Sequence, residues 1–223
     1  MFVSCWSAKG GAGTTVVATS LALVLAATAP AGSVLVDLGG DAATVLGVPE
    51  PDGPGVSDWL AAGASVPADG WARLALDTGT GVALVPRGRG PLTQVERAEV
   101  LAGLLAADHR PVVVDCGVLP SGPGPATETA ATVLAAQATR SLLVTRACYL
   151  ALRRATAAPV RPSGIVVVRE QGRSLRADDV AAVVGADIWA EVLVDPAIAR
   201  AVDAGVLAAR MPRALQRSLR DAA

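Results

Sequence analysis

Lysine is almost missing from this sequence: among 223 residues there are 18 arginines and one lysine, Lys9. The single histidine, His109, stands between Asp108 and Arg110 with no second imidazole to share a metal or a proton, and reads as a solvated turn residue. Aromatic residues make up 3% of the chain, so its core has to be built from alanine, valine and leucine. Cys5, Cys116 and Cys148 are odd in number and lack metal-ligand spacing, which excludes a disulfide framework and reads as reduced, mostly buried thiols of an intracellular protein. A net charge of −1 gives no general pull towards nucleic acid or an anionic membrane. The apolar run over 16–29 is too short to span a bilayer, and no basic segment precedes an apolar run at the N-terminus. The expected location is the cytoplasm, with no membrane contact.

What remains is 52% hydrophobic and regularly segmented, long enough for one sizeable domain over 1–223. Strand-like apolar runs lie at 2–6, 33–38, 81–85, 111–115, 141–145, 164–168 and 188–193. Helical stretches at 15–29, 56–62, 92–107, 127–138, 148–157 and 178–184 fall between them, with Ser57 as the expected cap of the second. The alternation predicts an α/β fold, a doubly wound, mainly parallel sheet flanked by helices, with ligands at the carboxyl edge of its strands.

Between the first strand and the first helix lies Ser7-Ala8-Lys9-Gly10-Gly11-Ala12-Gly13-Thr14-Thr15. Strand, glycine-rich turn and helix is the order of a phosphate-binding loop, in which glycines bring backbone N–H groups close to an anion and the helix N-terminus adds attraction. Against G-x-x-x-x-G-K-[ST], Gly13 and Thr15 fit, Ala8 replaces the first glycine and Thr14 replaces the lysine. The sole ammonium of the chain falls early in this loop, where a compact point charge differs from the planar fork of arginine. Two strand-like runs end in acids, SVLVDL at Asp37 and PVVVD at Asp115, and the second has the form of a Walker B strand. The alternative for Asp37 is a strand-end cap for nearby loop amides.

With its early lysine the loop follows K-G-G-x-G-K-T, and here the chain resembles the MinD/ParA superfamily of deviant P-loop ATPases, including its TadZ/CpaE and septum-site-determining branches. The resemblance implies a single P-loop NTPase-like domain that binds ATP and Mg²⁺ and forms a homodimer. It implies that Lys9 contacts nucleotide phosphates, typically across the dimer interface, and that Gly10, Gly11, Ala12, Gly13, Thr14 and Thr15 cradle the nucleotide. Thr15 and Asp115 would hold the metal. Asp37 matches the first acid of the family's D-x-D switch, while Gly39 stands at the second, leaving Asp41 as the carboxylate able to substitute. Residues 116–122, with the glycines and prolines through Pro125, resemble the second switch. The asparagine that commonly touches adenine is absent, leaving Gln171 as the candidate, and Val194-Asp195-Pro196 is similar to the family's closing P-x-D segment in altered order.

Other features carry less chemistry. Arg87 and Arg89, after the strand at 81–85, are solvated loop residues or suppliers of the missing phosphate charge. Trp59 is core or a contact at the dimer face. The tail over 212–223 is a docked terminal helix rather than a membrane anchor, because its apolar side is small. Losing one charge-assisted contact at Thr14 costs about 1.5–3 kcal/mol of binding. Hydrolysis loses more, since that ammonium also meets charge developing in the transition state. The expectation is a nucleotide-responsive dimer with weak or no hydrolysis that positions a septum, a chromosome or a pilus through an unknown protein partner. The alternative is a nucleotide-free scaffold acting through protein contacts alone. A small-molecule enzyme of the dethiobiotin-synthetase type shares fold and loop but would need a second polar cluster that the sequence does not offer.

Overall fold

Phe2–Ser7 forms β1, buried throughout, with Phe2 and Trp6 directed into one apolar core and Val3 and Cys5 into another. This alternation puts a layer of helices on each side of the sheet. The other strands are β2 (Ser33–Asp37), β3 (Leu76–Asp77), β4 (Val82–Val85), β5 (Val112–Val118), β6 (Arg140–Arg146), β7 (Gly164–Arg169) and β8 (Ile188–Leu193). The computed structural model describes residues 2–63, 67–122 and 128–220, with the side chains of 68 and 69 left aside. Its sheet has the order β3-β4-β2-β5-β1-β6-β7-β8, parallel except for the edge pair β3 and β4.

The helices are α1 (Thr14–Ala26), α2 (Ala42–Leu46), α3 (Val56–Ala61), α4 (Val95–Ala107), α5 (Ala130–Gln137), α6 (Tyr149–Ala155), α7 (Ala177–Val184), α8 (Pro196–Asp203) and α9 (Arg213–Arg220). Helices α1, α2, α8 and α9 cover one face, and α3 to α7 the other. Helix α1 is apolar on most sides because the sheet lies against one of them and α9 against another. Leu215 and Leu219 of α9 are buried there, so α9 is docked. The carboxyl ends of β1, β2, β4 and β5 come out along one edge, where their loops gather.

The expected strands and helices are present with ends shifted by a few residues, and the cap of α3 is not the expected one. Residues 42–46, directly after Asp41, are helical. The residue at the N-cap of α3 is Gly55, while the Ser57 hydroxyl inside the first turn accepts a hydrogen bond from Gly90 N at 2.9 Å. Ahead of β4, a 3-10 turn over Ala68–Leu74 leads into the two-residue β3. Trp59 is buried, with the Arg97 guanidinium 3.9 Å above its ring. The last part of the second-switch stretch and the start of the helix sought at 127–138 fall on residues 123–127, outside the described residues. Among the described residues no helix is long and apolar enough to cross a membrane.

Candidate functional site

The glycine loop is mounted on a fixed base. Trp6 Nε1, fully buried at the end of β1, donates to Ser141 Oγ of β6 at 2.9 Å, and Ser7 O accepts from Leu119 N at 2.9 Å. Beyond Ser7 the chain turns through Gly11 (φ +75°) and Gly13 (φ +89°) before α1 begins at Thr14. A Cβ on either glycine would meet nothing within 4 Å, so what demands glycine is the left-handed backbone and not crowding. Gly13 at the N-cap offers no side-chain acceptor, and the first turn of α1 holds no acid. The positive end of the helix is therefore left for an external anion.

Behind the loop two carboxylates stand side by side, since Asp37 and Asp115 are paired in register across β2 and β5. Asp115 is fully buried; Oδ1 accepts from Gly117 N at 3.0 Å and Oδ2 has no hydrogen-bond partner among the described residues. Burial pushes its carboxyl up to about 6, the charge of Asp37 adds to the rise, and the nearby Thr15 hydroxyl opposes it. Asp37 spends both oxygens on backbone: Oδ1 accepts from Gly40 N at 2.7 Å and Oδ2 from Ala42 N at 3.0 Å, which shapes the turn into α2. Burial raises its pKa against those hydrogen bonds. Gly39 closes the group, since a Cβ there would lie 2.9 Å from Asp115 Oδ2 and 3.6 Å from Asp37 Oδ1. An unpartnered buried carboxylate oxygen beside the Thr15 hydroxyl, with the approach kept clear by a residue lacking Cβ, is a donor set that suits a hard divalent cation. Mg²⁺ fits these residues.

Beside the loop opens a cavity of about 610 Å³, lined by residues 10–16, Gly39, Asp41, Arg87, Gly117 and Thr129 among others. Asp41 is exposed there and makes no capping bond to α2. A second, mainly apolar cavity of about 320 Å³ shares Ala12, Gly13 and Val16 with the first and extends to Val168, Val194 and Ile198 at the ends of β7, β8 and the start of α8.

The structure thus brings Gly10, Gly11, Ala12, Gly13, Thr14, Thr15 and Asp41 to one cavity, while Asp37 and Asp115 are buried next to lining residues Leu38, Gly39 and Cys116 without lining it themselves. Lys9 is turned aside: half-buried, its Nζ donates to Gly10 O at 3.2 Å, and it lines a separate small recess with Thr145, Arg146 and Cys148. Gln171 is exposed in the turn after β7 and lines neither cavity. The apolar wall at Val168, Leu193, Val194 and Ile198 was not singled out from the sequence; only the segment at 194–196 marked its neighbourhood.

No family model matches the chain, and no curated protein matches it by sequence. Solved structures do match. A ParA family ATPase from Chlorobium tepidum TLS superposes with a TM-score of 0.73 at 19% identity, covering 98% of this chain and 96% of that one. The septum site-determining protein MinD from Pyrococcus horikoshii OT3, complexed with Mg-ADP, gives a TM-score of 0.70 at 18% identity over 99% of this chain and 93% of its own. A variant of McdA from Cyanothece in complex with ATP gives 0.71 at 16% identity over 100% and 95%. These likenesses run the whole length of both partners at low identity, and with the strand order and loop geometry they show that this chain has the P-loop α/β fold of the ParA and MinD ATPases.

Proposed function

We propose that this chain is a MinD/ParA-like protein that binds ATP with Mg²⁺ and, as a nucleotide-responsive homodimer, positions cellular machinery such as a septum, a chromosome or a pilus through a protein partner. The observation that carries the reading is the unpartnered Oδ2 of Asp115, buried beneath an open glycine loop. A buried carboxylate oxygen without a donor is costly to keep unless the site takes a cation.

The loop amides and the α1 N-terminus hold the phosphates, while Thr15 and Asp115 hold Mg²⁺, which neutralises phosphate charge when bound. The apolar cavity beside Gly13 takes the base, with Val168 and Ile198 as its walls and Gln171 too far along the turn to serve. Hydrolysis is slow or absent. Thr14 offers no ammonium to charge developing in the transition state, and Asp37, buried and held by the backbone N–H groups of Gly40 and Ala42, does not line the cavity where water would be oriented. Asp41 is the remaining carboxylate in the cavity. Lys9, which lies outside the main cavity, would act on a nucleotide held by a second copy.

Calorimetric titration with ATP and ADP, with Mg²⁺ or EDTA, tests the reading, followed by sizing with and without ATP. Binding that depends on Mg²⁺ in the wild type and loses that dependence in Asp115→Asn is the expected result. Lys9→Ala should bind nucleotide but fail to dimerise with it. Absence of binding in every arm leaves the nucleotide-free scaffold, which the missing ammonium at Thr14 favours.

A further inference from the structure

We infer that Arg87 is the cation that meets the terminal phosphate, in place of the ammonium missing at position 14; the inference rests on the nucleotide reading above. Among the described residues lining the main cavity, the charged side chains are Asp41 and Arg87, so Arg87 is the one cation there. It follows β4 in a loop fastened to the start of α3: Val56 N donates to Pro86 O and Ser57 N to Arg87 O, each at 2.8 Å. The backbone of Arg87 is therefore held, and its side chain lies against Gly40, where a Cβ would come 3.4 Å from its Cδ.

Nη1 donates to Leu38 O, at the end of β2, at 2.5 Å. A guanidinium has five N–H donors, so this bond leaves most of the fork to an anion. Among the described residues no acid lies within salt-bridge distance of Arg87, whereas its neighbour Arg89 faces Asp52 at 3.7 Å. A half-buried arginine tethered by one carbonyl and lacking a carboxylate partner is poised for a bidentate phosphate contact.

Strand order gives the direction. The apolar cavity lies at the ends of β7 and β8, on one side of β1; Arg87 follows β4, beyond β5 and β2 on the other side. A nucleotide whose base sits in the apolar cavity and whose phosphates cross the loop after β1 ends its phosphate chain on the β4 side. Arg87 meets the last phosphate of ATP and finds nothing to bind in ADP.

The test is calorimetric titration of ATP and ADP, with Mg²⁺, against wild type, Arg87→Ala, Arg87→Gln, and Arg87→Gln combined with Thr14→Lys. Removing the charge should weaken ATP about ten- to a hundred-fold while ADP affinity stays within about two-fold, and Thr14→Lys should restore ATP binding to the Arg87→Gln protein. Arg87→Gln keeps the stem up to Cδ and an uncharged polar end, so it decides the matter if circular dichroism shows that Arg87→Ala is unfolded. ATP affinity unchanged in Arg87→Gln, ATP and ADP weakened alike, or no recovery with Thr14→Lys each overturns the inference while leaving nucleotide binding intact. A wild type that binds neither nucleotide overturns the nucleotide reading, and this inference with it.

Discussion

Placing an aspartate at Gly39 would supply the second acid of the switch, and the geometry makes this a damaging change and not a repair. A Cβ at position 39 lies 2.9 Å from Asp115 Oδ2, 3.4 Å from its Cγ and 3.6 Å from Asp37 Oδ1. A new side chain is thus aimed into the two buried acids and not into the cavity. Two like charges about 4 Å apart cost about 4 kcal/mol at an effective dielectric of about 20, and protonation of one group caps the penalty. Gly39→Asp should destabilise the fold by about 2–4 kcal/mol, whereas Gly39→Ala, which only displaces the Asp115 carboxyl, should cost about 1 kcal/mol. Urea denaturation in EDTA at neutral pH measures both values, and a single-turnover ADP-release assay reads hydrolysis. A Gly39→Asp protein as stable as Gly39→Ala, or one that gains hydrolysis, would refute the account of why this position lacks a side chain.

Three further outcomes are expected. Gly13→Ala meets no atom but forces alanine to φ +89°, so it should cost about 1–2 kcal/mol in denaturant melts and weaken nucleotide binding, because the loop amides turn with it. Asp115→Asn should abolish the difference between titrations in Mg²⁺ and in EDTA while the protein remains folded, since the amide takes no net charge into the interior. The Arg110 hydrogen bonds hold the Asp108 carboxyl below the usual carboxylate range, so its stabilisation is complete above the unfolded-state pKa of about 3.9 and is lost as pH falls through the lower folded value. Asp108→Asn should remove up to about 1 kcal/mol at neutral pH and flatten the acid limb of the stability curve, as followed by thermal melts from pH 7 downwards.

Much of this architecture is legible in the chain because the strands are runs such as VVV and LLV that parallel strands need when both faces are covered. The loop declares itself through the spacing of Gly10, Gly11 and Gly13, and both acids through their place at strand ends. Helix α2 does not, because five residues are too few to display a helical period, and β3 is an exposed two-residue pairing that depends on β4 being at hand. Ser57 has the hydroxyl of a usual cap, but Gly90 N occupies it and the N-cap of α3 is Gly55. Asp37 allowed two readings, and its oxygens serve the loop amides. What no local pattern reveals is which distant segments share a cavity. Arg87 comes beside the loop only because β4 pairs with β2, and the apolar wall at Val168 and Ile198 is made of ordinary side chains that carry no motif.

The indole of Trp6 has a use beyond anchoring β1. It is fully buried one residue before the turn that leads to Gly10, and its N–H is fixed on Ser141. Trp59 and Trp71 belong to the core under α3 and α4, and Trp189 stands on β8 at the far side of the sheet. With so few aromatics, ultraviolet emission from this chain is dominated by four indoles, two of them, Trp59 and Trp71, close together. A protein in which the other three are replaced by phenylalanine would report, by the colour and lifetime of a single fluorophore, whether the ground beneath the loop shifts when a solute arrives.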